Sequence, residues 1–200
     1  MGLNELLNEI RQEFLNAFHA AIEEKELLPG SSLILEPALR QEDDTRAIEG
    51  ELQLPIRTDI AVLQDDTLTE MMNVDSDCML GFDPVEFEWT DNLHVDLGPF
   101  AWQGLSFRVR GATKYDWEPL QDWFWRWFRD EEEDPADPLL GAIHFLSDPG
   151  VVGDAIEFHL DMGSAPIEAF EEMLDAVAAA GATHCEIGET DYEEEPEGIA

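Results

Sequence analysis

Three stretches between residues 85 and 110 alternate apolar and polar side chains with a period of two. Val85, Phe87 and Trp89 alternate with Glu86 and Glu88. Leu93, Val95 and Leu97 alternate with His94 and Asp96, and Leu105, Phe107 and Val109 with Ser106, Arg108 and Arg110. In an extended chain successive side chains point to opposite faces, so each stretch is a half-buried strand. Thr90-Asp91-Asn92 suits a hairpin connection. The series reads as an antiparallel meander with one face in water, and its apolar face needs a cover.

Helices supply that cover. Over residues 3–26, Leu3, Leu7, Ile10, Phe14, Phe18 and Ala21 recur at three- and four-residue steps, and Pro29-Gly30 ends the pattern. A second helix is predicted over about 117–129, with Asp116 as its cap and Pro119 in its first turn. Its apolar face is Trp117, Leu120, Trp123, Phe124, Trp127 and Phe128. A third, over 165–180, starts from a Ser164 cap, carries Ile167, Phe170, Met173, Leu174 and Val177, and closes at Gly181. Strands 155–162 and 183–187 flank it, and the three segments read as a right-handed βαβ crossover. A further strand is expected over 141–147.

The N-terminal part between the first helix and residue 84 reads as strands. Ser32–Glu36 is short and apolar. Ile48, Gly50, Leu52 and Leu54 alternate with Glu49, Glu51 and Gln53, and Ile60 and Val62 continue in a following strand. Asp65-Asp66-Thr67 is placed as the cap of a short helix over Leu68, Met71 and Met72. The expected fold class is α+β: a mostly antiparallel sheet with an N-terminal helix, a Trp-rich middle helix and a C-terminal β-α-β unit packed on one face. One domain is expected over residues 1–188, followed by an acidic, flexible tail over 189–200.

Composition enters through charge. There are 47 acidic residues against 10 basic ones, a formal net charge of -37. The excess is not confined to a tail, because residues 1–100 hold 23 of the acids and five of the bases. Such a chain is repelled by nucleic-acid phosphates and by an anionic membrane surface. With 44% hydrophobic residues it has the means to fill a core, so the acids belong on wet faces. Cys78 and Cys185 form no metal-binding spacing, no leader pattern opens the chain and no stretch approaches 18 apolar residues, so a cytoplasmic, reducing setting is expected. At this charge a monomer is favoured over a close symmetric dimer.

Three groups of residues carry the functional candidates. Alternation in the strands over 141–147, 155–162 and 183–187 places His144, His159 and His184 on one polar face with Glu157, Asp161 and Glu186. Imidazoles among carboxylates suit a divalent metal if these strands are neighbours. Trp125 lies opposite the apolar stripe of its helix, beside Arg126 and Arg129, and is a candidate partner anchor. The run Asp130, Glu131, Glu132, Glu133 and Asp134 favours a basic partner.

No phosphate-binding loop, nucleophile elbow or calcium loop is present. No cofactor is therefore expected beyond that metal. The leading expectation is a protein–protein interaction module that binds a basic partner, in the manner of an inhibitor or immunity protein. An ordinary domain with a salt-adapted surface is the first alternative. A metal-dependent enzyme or regulator using the histidine face is the second.

Overall fold

The computed structural model describes residues 2–41, 43–75, 79–112, 114–129 and 139–189. Helix α1 (Leu3–Glu26) buries Leu7, Ile10, Phe14 and Phe18 of the expected stripe together with Leu6 and Leu15, while Leu3 and Ala21 are half-buried. Strand β1 (Ser31–Leu35) follows. The alternation at 48–54 does not make one strand: β2 (Ile48–Glu49) and β3 (Leu54–Pro55) pair antiparallel around a tight reversal. Gly50 turns the chain there at φ +71, and a Cβ on it would meet the Asp148 carboxylate at 2.2 Å. That carboxylate accepts the backbone N–H groups of Glu51 and Leu52 at 2.5 and 2.8 Å, satisfying donors that a longer ladder would have used.

Strand β4 (Ile60–Gln64) pairs with β1 on one side and with β5 (Thr67–Met72) on the other. The short helix expected over Leu68–Met72 is therefore a strand. Asp65 and Asp66 both have positive φ, 51° and 60°, the conformation of a two-residue hairpin turn rather than a helix cap. The helical spacing has its own cause. A bulge between Val62 and Leu63 makes Leu68 oppose Leu63 while Met71 opposes Ala61, so two residues three apart share one face.

The main sheet contains β6 (Val85–Thr90), β7 (Leu93–Leu97), β8 (Leu105–Arg110), β9 (Phe145–Leu146), β10 (Gly150–Val152), β11 (Ala155–Asp161) and β12 (His184–Glu189). Its order is β10-β11-β8-β12-β7-β6, with β9 beside β11. The β6–β7 hairpin forms as expected, but the meander does not continue into β8. Strand β12 inserts between β7 and β8, parallel to β7 and antiparallel to β8. The Gly98–Gly104 connection permits this. Its Phe100 and Trp102 are fully buried and stack on Phe170 at 6.0 and 6.2 Å, so the chain dips into the core before β8 begins.

Helix α2 (Glu118–Phe128) has Trp117, not Asp116, at its cap position; Asp116 stands one residue before and accepts the Glu118 N–H at 3.2 Å. Helix α3 (Ile167–Ala179) links β11 to β12. Those two strands run parallel, as a crossover requires, but β8 lies between them, so the βαβ unit is split. Ser164 does not cap α3; its side chain is taken up elsewhere, and Pro166 occupies the cap position. Helix α3 lies against the inner face of the main sheet, and α2 packs beside α3. Phe170 meets Phe107 at 6.4 Å, and Trp123 Nε1 donates to the Ala169 carbonyl at 2.9 Å. One apolar core joins these residues to Leu7 and Phe14 of α1 and to Ile60 of β4. The α+β architecture is thus the expected one, with revised strand order. Among the described residues no helix is long and apolar enough to cross a membrane.

Candidate functional site

The helices leave the outer face of the main sheet to solvent, and register sorts its polar side chains into rows. One row runs Glu157, Arg108, Glu186, Asp96 and Glu86 across β11, β8, β12, β7 and β6. The adjacent row runs Arg110, His184, His94 and Glu88. Opposite charges alternate where the strands allow it: Arg108 pairs with Glu157 at 2.8 Å, and Arg110 with Glu186. Cross-strand pairs of this kind stabilise a sheet modestly and are screened by salt.

The three histidines singled out by alternation do not converge. His184 stands beside His94, with ring centroids 5.4 Å apart. His159 shares the outer face, but it pairs with Ser106 while His184 pairs with Arg110, at the other end of β8. His144 is not on that face at all. The expected strand over 141–147 shortens to Phe145–Leu146, and His144 is buried. The premise that the three strands were neighbours fails because β8 separates two of them and β9 only brushes the end of β11. The residue that alternation missed is His94, whose strand meets β12 only through the tertiary strand order.

His144 belongs to a sealed ionic cluster. Its Nε2 donates to Glu36 Oε1 at 2.8 Å, and its Nδ1 lies 2.9 Å from Asp59 Oδ1, a close ion contact off the hydrogen-bond line. The Ser164 hydroxyl donates to the same Glu36 oxygen at 2.5 Å and accepts the Gly141 and Ala142 N–H groups. Glu36 sits at φ +51 just beyond β1, where the turn aims its side chain inward. Gly163 is required alongside, because at φ +48 a Cβ would lie 2.3 Å from the His144 ring. Arg57 completes the group. Its Nε and Nη2 donate to the Phe128 and Arg129 carbonyls at 3.0 and 2.7 Å, at the C-terminus of α2 where a cation is favoured. A third donor reaches the Glu36 carbonyl.

Burial opposes the charge on His144, but the Asp59 and Glu36 carboxylates outweigh it and raise its pKa to about 10. Burial likewise pulls Glu36 upward, and the His144 and Ser164 bonds overcome it, leaving Glu36 below the ordinary carboxylate value. The cluster contains serine, histidine and carboxylate, yet it is not arranged for nucleophilic catalysis. Both ring nitrogens face carboxylates, and the serine proton is already given to Glu36, so no ring nitrogen is open to accept it.

Asp161, half-buried beyond His144, forms part of the wall of a cavity of about 630 Å³ together with Arg57, Asn73, Gln103 and His159. Burial pushes its carboxyl up to about 7, partly offset by His144. Cys185 is fully buried, and burial drives its thiol pKa up, so it is a packing residue. Trp125 is 41% exposed and leans edge-on against Phe124 and Phe128. Its neighbour Arg126 is tied to Glu172 at 3.0 Å. The acidic run 130–134, Cys78 and the tail beyond Glu189 lie outside the described residues.

The smaller sheet exposes a different surface. On the face of β1, β4 and β5 turned away from α1, Ile34, Leu68 and Met71 are 48%, 48% and 49% exposed. Ala61 and Leu63 lie between them in register, and the exposed Asp65-Asp66 turn borders one end. Comparison with family models, with curated proteins and with solved structures finds no match to this chain, so its chemistry is read from these sites alone.

Proposed function

We propose that the protein is an interaction module whose partner is a basic protein. The observation that carries this reading is the apolar face of Ile34, Leu63, Leu68 and Met71, set in a chain with a net charge of -37. An apolar centre with a charged rim is the anatomy of a specific interface. The charge selects a cationic partner and speeds the encounter. Basic side chains do little to blunt the charge. Lys25, Arg108, Arg110 and Arg126 face the protein's own carboxylates, and Arg11 and Arg57 donate to its backbone carbonyls. Trp125 and the run Asp130–Asp134 are a candidate second contact for the same partner.

The test is capture at low ionic strength followed by elution with rising salt, run on the wild type and on an Ile34→Asp/Met71→Asp double variant. The expected outcome is retention of basic protein by the wild type and its loss from the variant, with both chains folded by circular dichroism. Retention of the same proteins by both, or of no basic protein by the wild type, overturns the reading.

A further inference from the structure

We propose that the outer face of the main sheet carries a binding site for a divalent transition cation of the zinc class, centred on the Asp96 carboxylate. The site uses a different sheet from the apolar face above and does not depend on the basic-partner reading. Its origin is register. The parallel pairing of β7 with β12 sets His94 opposite His184 and Asp96 opposite Glu186, and the β6–β7 hairpin adds Glu86 opposite Asp96. Asp96 therefore lies between two triads. Asp96, His184 and Glu186 form one, Glu86, His94 and Asp96 the other, and within each the donor atoms lie within 4.8 Å of one another.

The distances fit an ion. Asp96 Oδ2 is 3.0 Å from His184 Nε2, Asp96 Oδ1 is 3.0 Å from His94 Nε2, and His184 Nε2 is 3.6 Å from Glu186 Oε1. Tetrahedral ligands at zinc bond lengths of about 2.1 Å stand roughly 3.4 Å apart, so small rotations of these side chains make room for the metal. A second feature sets the group apart from a merely acidic patch. Asp96 Oδ1 and His184 Nε2 are both shielded from solvent and have no partner at a hydrogen-bonding angle. Shielded polar atoms without partners are uncommon and call for an explanation, which a bound cation would supply. The donor set decides the class: imidazole nitrogen with carboxylate oxygen suits zinc and its neighbours, whereas magnesium and calcium prefer oxygen throughout. Arg110, already bonded to Glu186, stays as a flanking cation that limits the excess negative charge.

The test uses zinc alone, titrated into the full chain against a chromophoric competitor in a non-coordinating buffer, with imidazole NMR signals followed in parallel. The expected result is saturable binding of one or two ions per chain that perturbs the His94 and His184 rings. A tenfold excess of calcium should leave it in place. Asp96→Asn and His184→Gln should each weaken binding by about tenfold or more, in the range seen when a ligand sphere is disturbed, while His159→Gln leaves it unchanged. Circular dichroism of each variant separates loss of a ligand from loss of fold. Non-saturating uptake, displacement by calcium, or equal binding by wild type and His184→Gln overturns the proposal.

Discussion

His144 is held between two carboxylates in a place no solvent reaches. Removing it leaves Glu36 and Asp59 buried without their cation. His144→Ala is therefore expected to destabilise the fold by about 3–5 kcal/mol, the range for breaking one side of a buried ionic group, as measured by urea unfolding. The cluster also fixes a pH dependence. Asp161 is raised in the folded state to about 7, so its contribution is present below its unfolded value and is lost as pH rises through 7. His144, raised to about 10, loses its contribution only as pH climbs from its unfolded value toward 10. Between about pH 4 and 7 the wild type should lose stability relative to Asp161→Asn, which cannot titrate but keeps an oxygen for the Gly163 N–H. Parallel thermal-melting curves for the two chains across that window would remove Asp161 from the account. None of this was legible in the sequence. His144 lies in a stretch that alternates like a half-wet strand, and its partners Glu36 and Asp59 are more than 80 residues away, in a chain where carboxylates are too common to point anywhere.

At the scale of elements, the strands from 85 to 110, all three helices and the strands flanking α3 were legible, because each shows its own period over several residues. Two of the failures share a cause: a backbone irregularity imitated another period. The bulge in the β4–β5 hairpin gave Leu68 and Met71 helical spacing, and the Gly50 reversal hid a hairpin inside an alternating run. The β4–β5 turn offers a direct check. Asp65 and Asp66 both occupy the left-handed region, which Asn-Gly adopts more readily. The Asp65→Asn/Asp66→Gly variant should be more stable by about 1 kcal/mol, read from its denaturation midpoint; a loss of stability would mean the turn is not of this type. Packing offers another. Phe170 touches Phe100, Trp102 and Phe107, tying α3 to the sheet and to the Gly98–Gly104 connection at once. Phe170→Ala is expected to cost about 3–5 kcal/mol.

For the whole molecule the question is what the charge does to the fold. Self-repulsion at -37 opposes compactness, and added salt screens it over about 10 Å at 0.1 M. The core that joins α1 to both sheets works against that repulsion without help from salt. On the interaction-module reading the chain should therefore stay folded near 10 mM salt, with a single cooperative melt and a modest rise in melting temperature as salt is added. Unfolding at low ionic strength, reversed by molar salt, would favour the salt-adapted alternative. The measurement is a melting series across salt concentration at fixed pH.

The sequence by itself determined the class of structure. Periods of two and of three to four residues are local properties, so they specify strands, helices and the side each buries without reference to anything distant. It also determined the global charge, and with it the expected repulsion of phosphate-rich partners. Strand order was decided only by the tertiary structure, because pairing depends on which apolar faces meet α2 and α3 and on the course of the Gly98–Gly104 connection. That order separates His184 from His159 and joins it to His94, and it sends His144 inward to Glu36 and Asp59. A histidine's chemistry is set by the atoms within a few ångströms of its ring, and in this protein those atoms come from segments far apart in the chain.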